Sequence, residues 1–191
     1  MFRGQNIRPS VPSKAVIQAL EFLHCVLNPR ILGSGRMIRI RWEKPPSGWV
    51  RFSIDGSILG NLGRASCGGI IRNDCGDWLG GLSRSIEVTT SFIAELWALH
   101  DGLTLCHNMH LQAIDIQIDA KAVVDVISNP SYTNRFVMPT VDDCRQLISQ
   151  LGQVRIGHYY HEANFCANFL ARKGALQDCS FIMYQDPPLD L

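Results

Sequence analysis

The hydrophobic period of the chain changes at Trp49 and again at Thr90, and those two changes restrict the fold more than any single residue. WVRFSID, SCGGIIRN and DWLGGLSRSI are three short strand-like runs, and the turn-rich DCGD joins the second to the third as a hairpin. TSFIAELWALHDGLTLCHNMH then sets Ile93, Leu96, Trp97, Leu99, Leu103 and Leu105 at helical spacing, with Thr90 or Ser91 as the cap. AIDIQID alternates as a fourth strand and AKAVVDVI reads as a short helix. FVMPTVDDCRQLISQLG is a further helix, QVRIGHYY a fifth strand and EANFCANFLARKGA a last helix. Three strands followed by alternating helices and strands predict an α/β domain. Its core is a mixed five-stranded sheet, antiparallel in the first three strands and flanked by helices.

The flanks read differently. MFRGQNIRPSVPSK is basic and proline-punctuated, AVIQALEFLHCVL (15–27) has amphipathic helical spacing, and the stretch to KPPSG is a linker. The expected organisation is a leader and linker over 1–44, a domain over 45–177 and a tail over 178–191. Residues 1–48 hold eight Lys/Arg against two acids, whereas residues 49–177 hold ten against twelve. The main body is therefore not a basic nucleic-acid clamp, and affinity for a polyanion would lean on the leader, on metal ions or on a few local groups. No apolar run reaches the roughly 20 residues that span a bilayer. Seven scattered cysteines without a CxxC pair fit reduced thiols rather than a disulfide framework or a zinc site. The expected location is intracellular, nuclear or cytoplasmic, and the absence of acids before Glu21 also admits an organellar targeting segment.

Three acids stand where apolar patterning makes them costly. Asp55 ends the first strand, Asp119 ends the fourth, and Glu95 lies between Ile93, Ala94, Leu96 and Trp97. Each has a plain alternative: a turn residue for Asp55, a helix N-cap for Asp119, a solvated helix position for Glu95. Strand ends in such a sheet form the crevice where ligands bind. If the first and fourth strands are neighbours, Asp55 and Asp119 meet, and a helix crossing the sheet can add Glu95. Crowded like charges need cations, and hard oxygen ligands favour Mg²⁺ or Mn²⁺.

PPSGWVRFSIDGS, SCGGIIRNDCGDWLGG, FIAELWALHDGL, IQIDAKAVVDVI and VRIGHYYHEANFCANFLA, taken in order, resemble the ribonuclease H fold. The likeness is to the ribonuclease H-like domains that end plant non-LTR retrotransposon polyproteins. The resemblance implies metal-binding catalytic acids at Asp55, Glu95 and Asp119, with two Mg²⁺ or Mn²⁺ ions expected with substrate. It further implies hydrolysis of the RNA strand of an RNA–DNA hybrid, with no membrane involved. His158 stands ten residues before Asn168, where the family places a proton-shuttling histidine, and imidazoles titrate near neutrality. Its alternative is a partly buried polar residue at a strand end. Gly56, Ser57 and Asn164 fall at substrate-binding positions, Gly56 allowing a close backbone approach to the metal.

Two positions depart from the family pattern. Its last-helix motif resembles REANxxADxLA, whereas this chain has HEANFCANFLA, so the fourth acid is Asn168. That amide keeps an oxygen able to ligate metal but lacks the charge. Ala120 stands where a serine commonly follows the fourth-strand acid. The resemblance therefore implies a hybrid ribonuclease, weakened at Asn168. A non-catalytic nucleic-acid-binding module derived from a retrotransposon, or an exonuclease of the same superfamily, are the alternatives.

Overall fold

A computed structural model of the chain describes residues 42–59 and 63–191. The leader, the amphipathic helix expected over 15–27 and most of the linker lie outside the described residues. The domain consists of β1 (Val50–Ile58), β2 (Ala65–Arg72), β3 (Trp78–Ile86), α1 (Ser91–Asn108), β4 (Ala113–Ile118) and α2 (Lys121–Ser128). It continues with α3 (Met138–Gln150), β5 (Gln153–His158), a 3₁₀ turn (His161–Ala163), α4 (Phe165–Leu176) and β6 (Phe181–Tyr184). The strands lie in the order β5-β4-β1-β2-β3-β6. β1, β2 and β3 form the expected antiparallel meander, and β4 and β5 join parallel to β1.

The sheet has six strands rather than five. β6, from the segment expected as a tail, pairs antiparallel with β3 from Gly81↔Tyr184 to Arg84↔Phe181. Four residues at a sheet edge, alternately exposed, give too short a pattern to separate from a tail. Asp55 also departs from the expectation. It lies inside β1 rather than at its end, because pairing with β2 continues to Ile58↔Ala65.

The two faces of the sheet differ in chemistry. Phe52 and Ile54 of β1, with Ile114, Ile116 and Ile118 of β4, are fully buried in the main core with Leu96, Leu99 and Leu103 of α1. The close fit there needs glycine: a Cβ on Gly102 of α1 would overlap the Phe52 ring at 1.7 Å. α4 packs on the opposite face, where Gly68 of β2 lets the backbone of Leu170 and Ala171 approach, and Ile70, Ala167 and Leu170 form a smaller cluster. Strand alternation therefore sends every second residue of β1 and β4 away from the main core. Those residues are polar: Arg51, Ser53 and Asp55 on β1, and Asp115, Gln117 and Asp119 at corresponding places on and just after β4.

Candidate metal centre

Parallel register turns these alternations into cross-strand pairs. Arg51 sits opposite Asp115 and Ser53 opposite Gln117, and the last pair of the ladder is Ile54↔Ile118. The first is an ion pair at 2.5 Å, and in the second the Gln117 amide, whose oxygen accepts from the Arg51 guanidinium at 2.8 Å, turns its NH₂ to the Ser53 hydroxyl at 3.3 Å. One residue beyond the ladder, the same face holds two carboxylates, Asp55 and Asp119. The stripe thus passes from opposite charges, through neutral groups, to like charges.

Glu95 follows the first turn of α1, which Thr90 caps by accepting the Ile93 N–H at 3.3 Å. That turn lies directly on Gly56: a Cβ there would stand 2.5 Å from the Glu95 nitrogen and 2.8 Å from the Ala94 carbonyl carbon. Gly56 N–H, beyond the β1–β4 ladder, donates to Glu95 Oε1 at 2.8 Å. Glu95 Oε2 is buried and has no hydrogen-bond partner among the described residues. Glu95 is therefore not a solvated helix residue. Nor does Asp119 cap a helix, because the N-cap of α2 is Ala120.

Two further side chains reach the carboxylates. Asn168, one turn into α4, donates its amide to Asp55 Oδ2 at 3.1 Å. His161 Nδ1 lies 2.8 Å from Asp119 Oδ2 and 3.7 Å from Asp55 Oδ1. Ligating atoms of Asp55, Asp119 and His161 all fall within 4.8 Å of one another.

The electrostatics follow from burial and crowding. Burial, then the Asp119 charge, pushes the Asp55 carboxyl up to about 7, while His161 and the Asn168 amide pull against that rise. Glu95 is raised well above the ordinary range by burial, then by Asp119 and Asp55, with only the Gly56 N–H opposing. Asp55 and Asp119 with His161 beside them, and Glu95 close enough to feel both aspartate charges, make a locally anionic group that suits a cation. The group could hold a metal ion.

The remaining expected residues make contacts of their own. Gly56 approaches the first turn of α1 closely. Ser57 is half-buried on β1 opposite Ser66, whose hydroxyl donates to its carbonyl at 3.4 Å. Asn164 is buried, and its amide, donating to Ile54 O at 2.5 Å, ties the start of α4 to β1. His158 ends β5 opposite Ile118 and packs edge-on to Tyr160, 6.0 Å between ring centroids. The histidine touching the carboxylates is His161, which the spacing argument missed. Its one signal was the first letter of HEAN, where the family pattern has arginine.

Comparison with known proteins agrees with this architecture. A family model described as reverse transcriptase-like matches residues 53–174. An Arabidopsis thaliana protein named "Putative ribonuclease H protein" is 33% identical over 132 residues, covering 69% of this chain and 21% of its own length. The chain thus spans about a fifth of that relative. The N-terminal RNase H domain of rv2228c from Mycobacterium tuberculosis superposes with TM-score 0.62 at 22% identity, over 66% of this chain and 93% of that one. RNase H1 from Halobacterium salinarum gives TM-score 0.62 at 23% identity, over 69% and 99%. LC11-RNase H1, solved in complex with an RNA/DNA hybrid, gives 0.59 at 20% identity, over 66% and 96%. Residues 53–174, with their carboxylates at the junction of β1, β4 and α1, place the chain in the reverse transcriptase-like family, on a ribonuclease H fold.

Proposed function

We propose that this domain hydrolyses the RNA strand of RNA–DNA hybrids in a divalent-metal-dependent reaction, at a rate lowered by Asn168. The observation that carries this reading is the convergence of Asp55, Glu95 and Asp119, with Glu95 Oε2 buried, crowded by Asp119 and without a hydrogen-bond donor among the described residues. Asp55, Glu95 and Asp119 would hold Mg²⁺ or Mn²⁺, two ions with substrate. Bound there, such ions supply an activated water and charge neutralisation at the leaving 3′ oxygen.

The chain's own contribution is rigid placement. The β1–β4 register sets Asp55 beside Asp119, the Gly56 N–H orients Glu95, and the Asn164 amide fixes α4 against β1. His158, exposed at the neighbouring strand end, is assigned the task of carrying a proton to and from solvent. The 2′-hydroxyl is the group by which such a site would tell RNA from DNA. The described cysteines are free thiols, which supports an intracellular, nuclear or cytoplasmic, setting. Among the described residues no helix is long and apolar enough to cross a membrane.

A second reading rests on the Asn168–Asp55 hydrogen bond. An amide that quiets Asp55 without metal suits a retrotransposon-derived module that binds nucleic acid and no longer cuts it.

The test is a labelled RNA–DNA hybrid incubated with the full chain, with and without Mg²⁺ or Mn²⁺, alongside Asp55→Asn. Cleavage that needs metal and Asp55 is the expected result. Binding without cleavage would favour the second reading, and cleavage surviving EDTA or Asp55→Asn would overturn the metal-dependent one.

A further inference from the structure

The segment between β5 and α4 is anchored at both ends to the two strands that carry the aspartates. At one end the Tyr159 N–H donates to the carbonyl of Ile118, the residue before Asp119, at 2.8 Å. At the other, the Asn164 amide donates to the carbonyl of Ile54, the residue before Asp55, at 2.5 Å. His161 lies between these anchors in the 3₁₀ turn, and its carbonyl accepts the Asn164 N–H at 2.9 Å. Its exposed ring is thus held over the gap between Asp55 and Asp119, facing both with Nδ1.

We propose that His161 Nδ1 is a metal ligand of this centre, completing a mixed imidazole–carboxylate site with Asp55 and Asp119 that takes Mn²⁺ in preference to Mg²⁺. The inference deepens the metal-dependent reading above and rests on it. Three observations support it. First, the 2.8 and 3.7 Å separations bracket the edge of about 3 Å expected between adjacent ligands on an octahedron with bonds of about 2.1 Å. Second, Asn168 turns its NH₂ toward Asp55, and an amide nitrogen is no ligand, so α4 contributes no anionic oxygen here. Third, Oε2 of Glu95, buried and without a hydrogen-bond donor among the described residues, is crowded by the same two aspartates.

The choice of ion follows from donor chemistry. Mg²⁺ dehydrates reluctantly and favours oxygen ligands. An imidazole favours first-row transition ions over Mg²⁺; within that series, which rises from Mn²⁺ to Cu²⁺ and falls at Zn²⁺, Mn²⁺ is the ion that also suits the carboxylate and water ligands around it. Exchanging a carboxylate for an imidazole lowers the site's charge, which costs Mg²⁺ more than it costs an ion that bonds well to nitrogen.

Mn²⁺ binding to the full chain, measured by calorimetry and by pulsed electron paramagnetic resonance, tests this without reference to activity. The spectrum is expected to show hyperfine coupling from a directly bound ¹⁴N. His161→Phe should abolish that coupling and weaken Mn²⁺ binding by about tenfold or more, with a smaller change for Mg²⁺. Because the His161 ring is exposed, the variant should keep the wild-type circular dichroism, with only a small drop in melting temperature from the lost contacts to Asp55 and Asp119. Mn²⁺ that binds in an Asp55-dependent way without ¹⁴N coupling, or equally well in His161→Phe, would overturn the role of His161 and leave the carboxylate centre standing. Mn²⁺ binding unaffected by Asp55→Asn, or no Mn²⁺ binding at all, would overturn both readings.

Discussion

Asn168 donates its side-chain amide to Asp55 Oδ2 at 3.1 Å, in the position where the family motif carries a fourth acid. The exchange changes sign between metal-free and metal-bound states. Without metal, the amide relieves Asp55, whereas a carboxylate would crowd it. With metal, a missing charge about 4 Å from a cation forfeits about 1 kcal/mol in bulk water and about 4 kcal/mol at an effective dielectric of 20. Asn168→Asp should therefore lower the melting temperature in EDTA while increasing metal affinity and Mg²⁺-dependent hybrid cleavage. Parallel melting curves and metal titrations check both arms. Unchanged or lower activity would show that position 168 does not reach the metal.

Gly56 couples strand geometry to Glu95. Its absent side chain lets the first turn of α1 rest on β1, and its N–H orients the Glu95 carboxylate. In Gly56→Ala the new carbon would meet backbone, which cannot rotate out of the way, so α1 must shift. Overpacking of this kind costs about 1–3 kcal/mol. The expected outcome is a lower denaturation midpoint together with weakened metal binding, although alanine contributes no charge. Metal affinity equal to wild type would show that Glu95 is positioned independently of Gly56.

Much of the fold is legible because each element repeats its period long enough to declare itself. The β1–β3 meander and α1 follow from runs of eight residues or more, whereas β6 spans four at an edge and gives no such signal. Asp55, Glu95 and Asp119 are legible for a related reason, since a charge inside an apolar pattern demands an explanation. His161 offers none of these cues. It stands in an exposed turn, where polar residues are ordinary, and its significance comes from the anchoring of residues 159–164 to two strands distant in sequence. The role of Gly56 is hidden likewise, because no local pattern tells which neighbour a glycine admits.

Asn164 makes that anchoring testable. Its amide satisfies the Ile54 carbonyl, and its own Oδ1 is buried without a partner among the described residues. Asn164→Ala would orphan the Ile54 carbonyl, at about 1–3 kcal/mol, and also remove the unsatisfied Oδ1, which offsets part of that loss. A modest loss of stability is expected, with a larger loss of Mn²⁺ affinity because His161 is no longer held over the aspartates. Urea denaturation and calorimetry on one preparation separate the two effects. Full loss of stability with wild-type affinity per folded molecule would show that Asn164 does not position the centre.

The raised carboxyls make the metal-free fold sensitive to pH in a direction opposite to ordinary paired aspartates. Asp55 titrates near 7 when folded and near the ordinary 3.8 when unfolded, so between these values the folded state holds the extra proton. Stability must then fall as pH rises from about 4 to about 7, by up to about 4 kcal/mol for this group, and flatten above. Glu95 adds to the same slope. A bound cation favours the ionised forms, so metal affinity should rise across that interval and the stabilisation by metal should be largest at pH 8. Glu95→Gln keeps an oxygen to accept the Gly56 N–H but removes the buried ionisable group. In EDTA at pH 8 it should melt above wild type, with a shallower dependence on pH, and added Mg²⁺ or Mn²⁺ should raise its melting temperature far less. Denaturation at pH 5 and pH 8, each with EDTA or metal, resolves these effects. A wild-type protein that gains stability from pH 5 to pH 8 in EDTA would show that the carboxylates do not crowd one another in the folded chain.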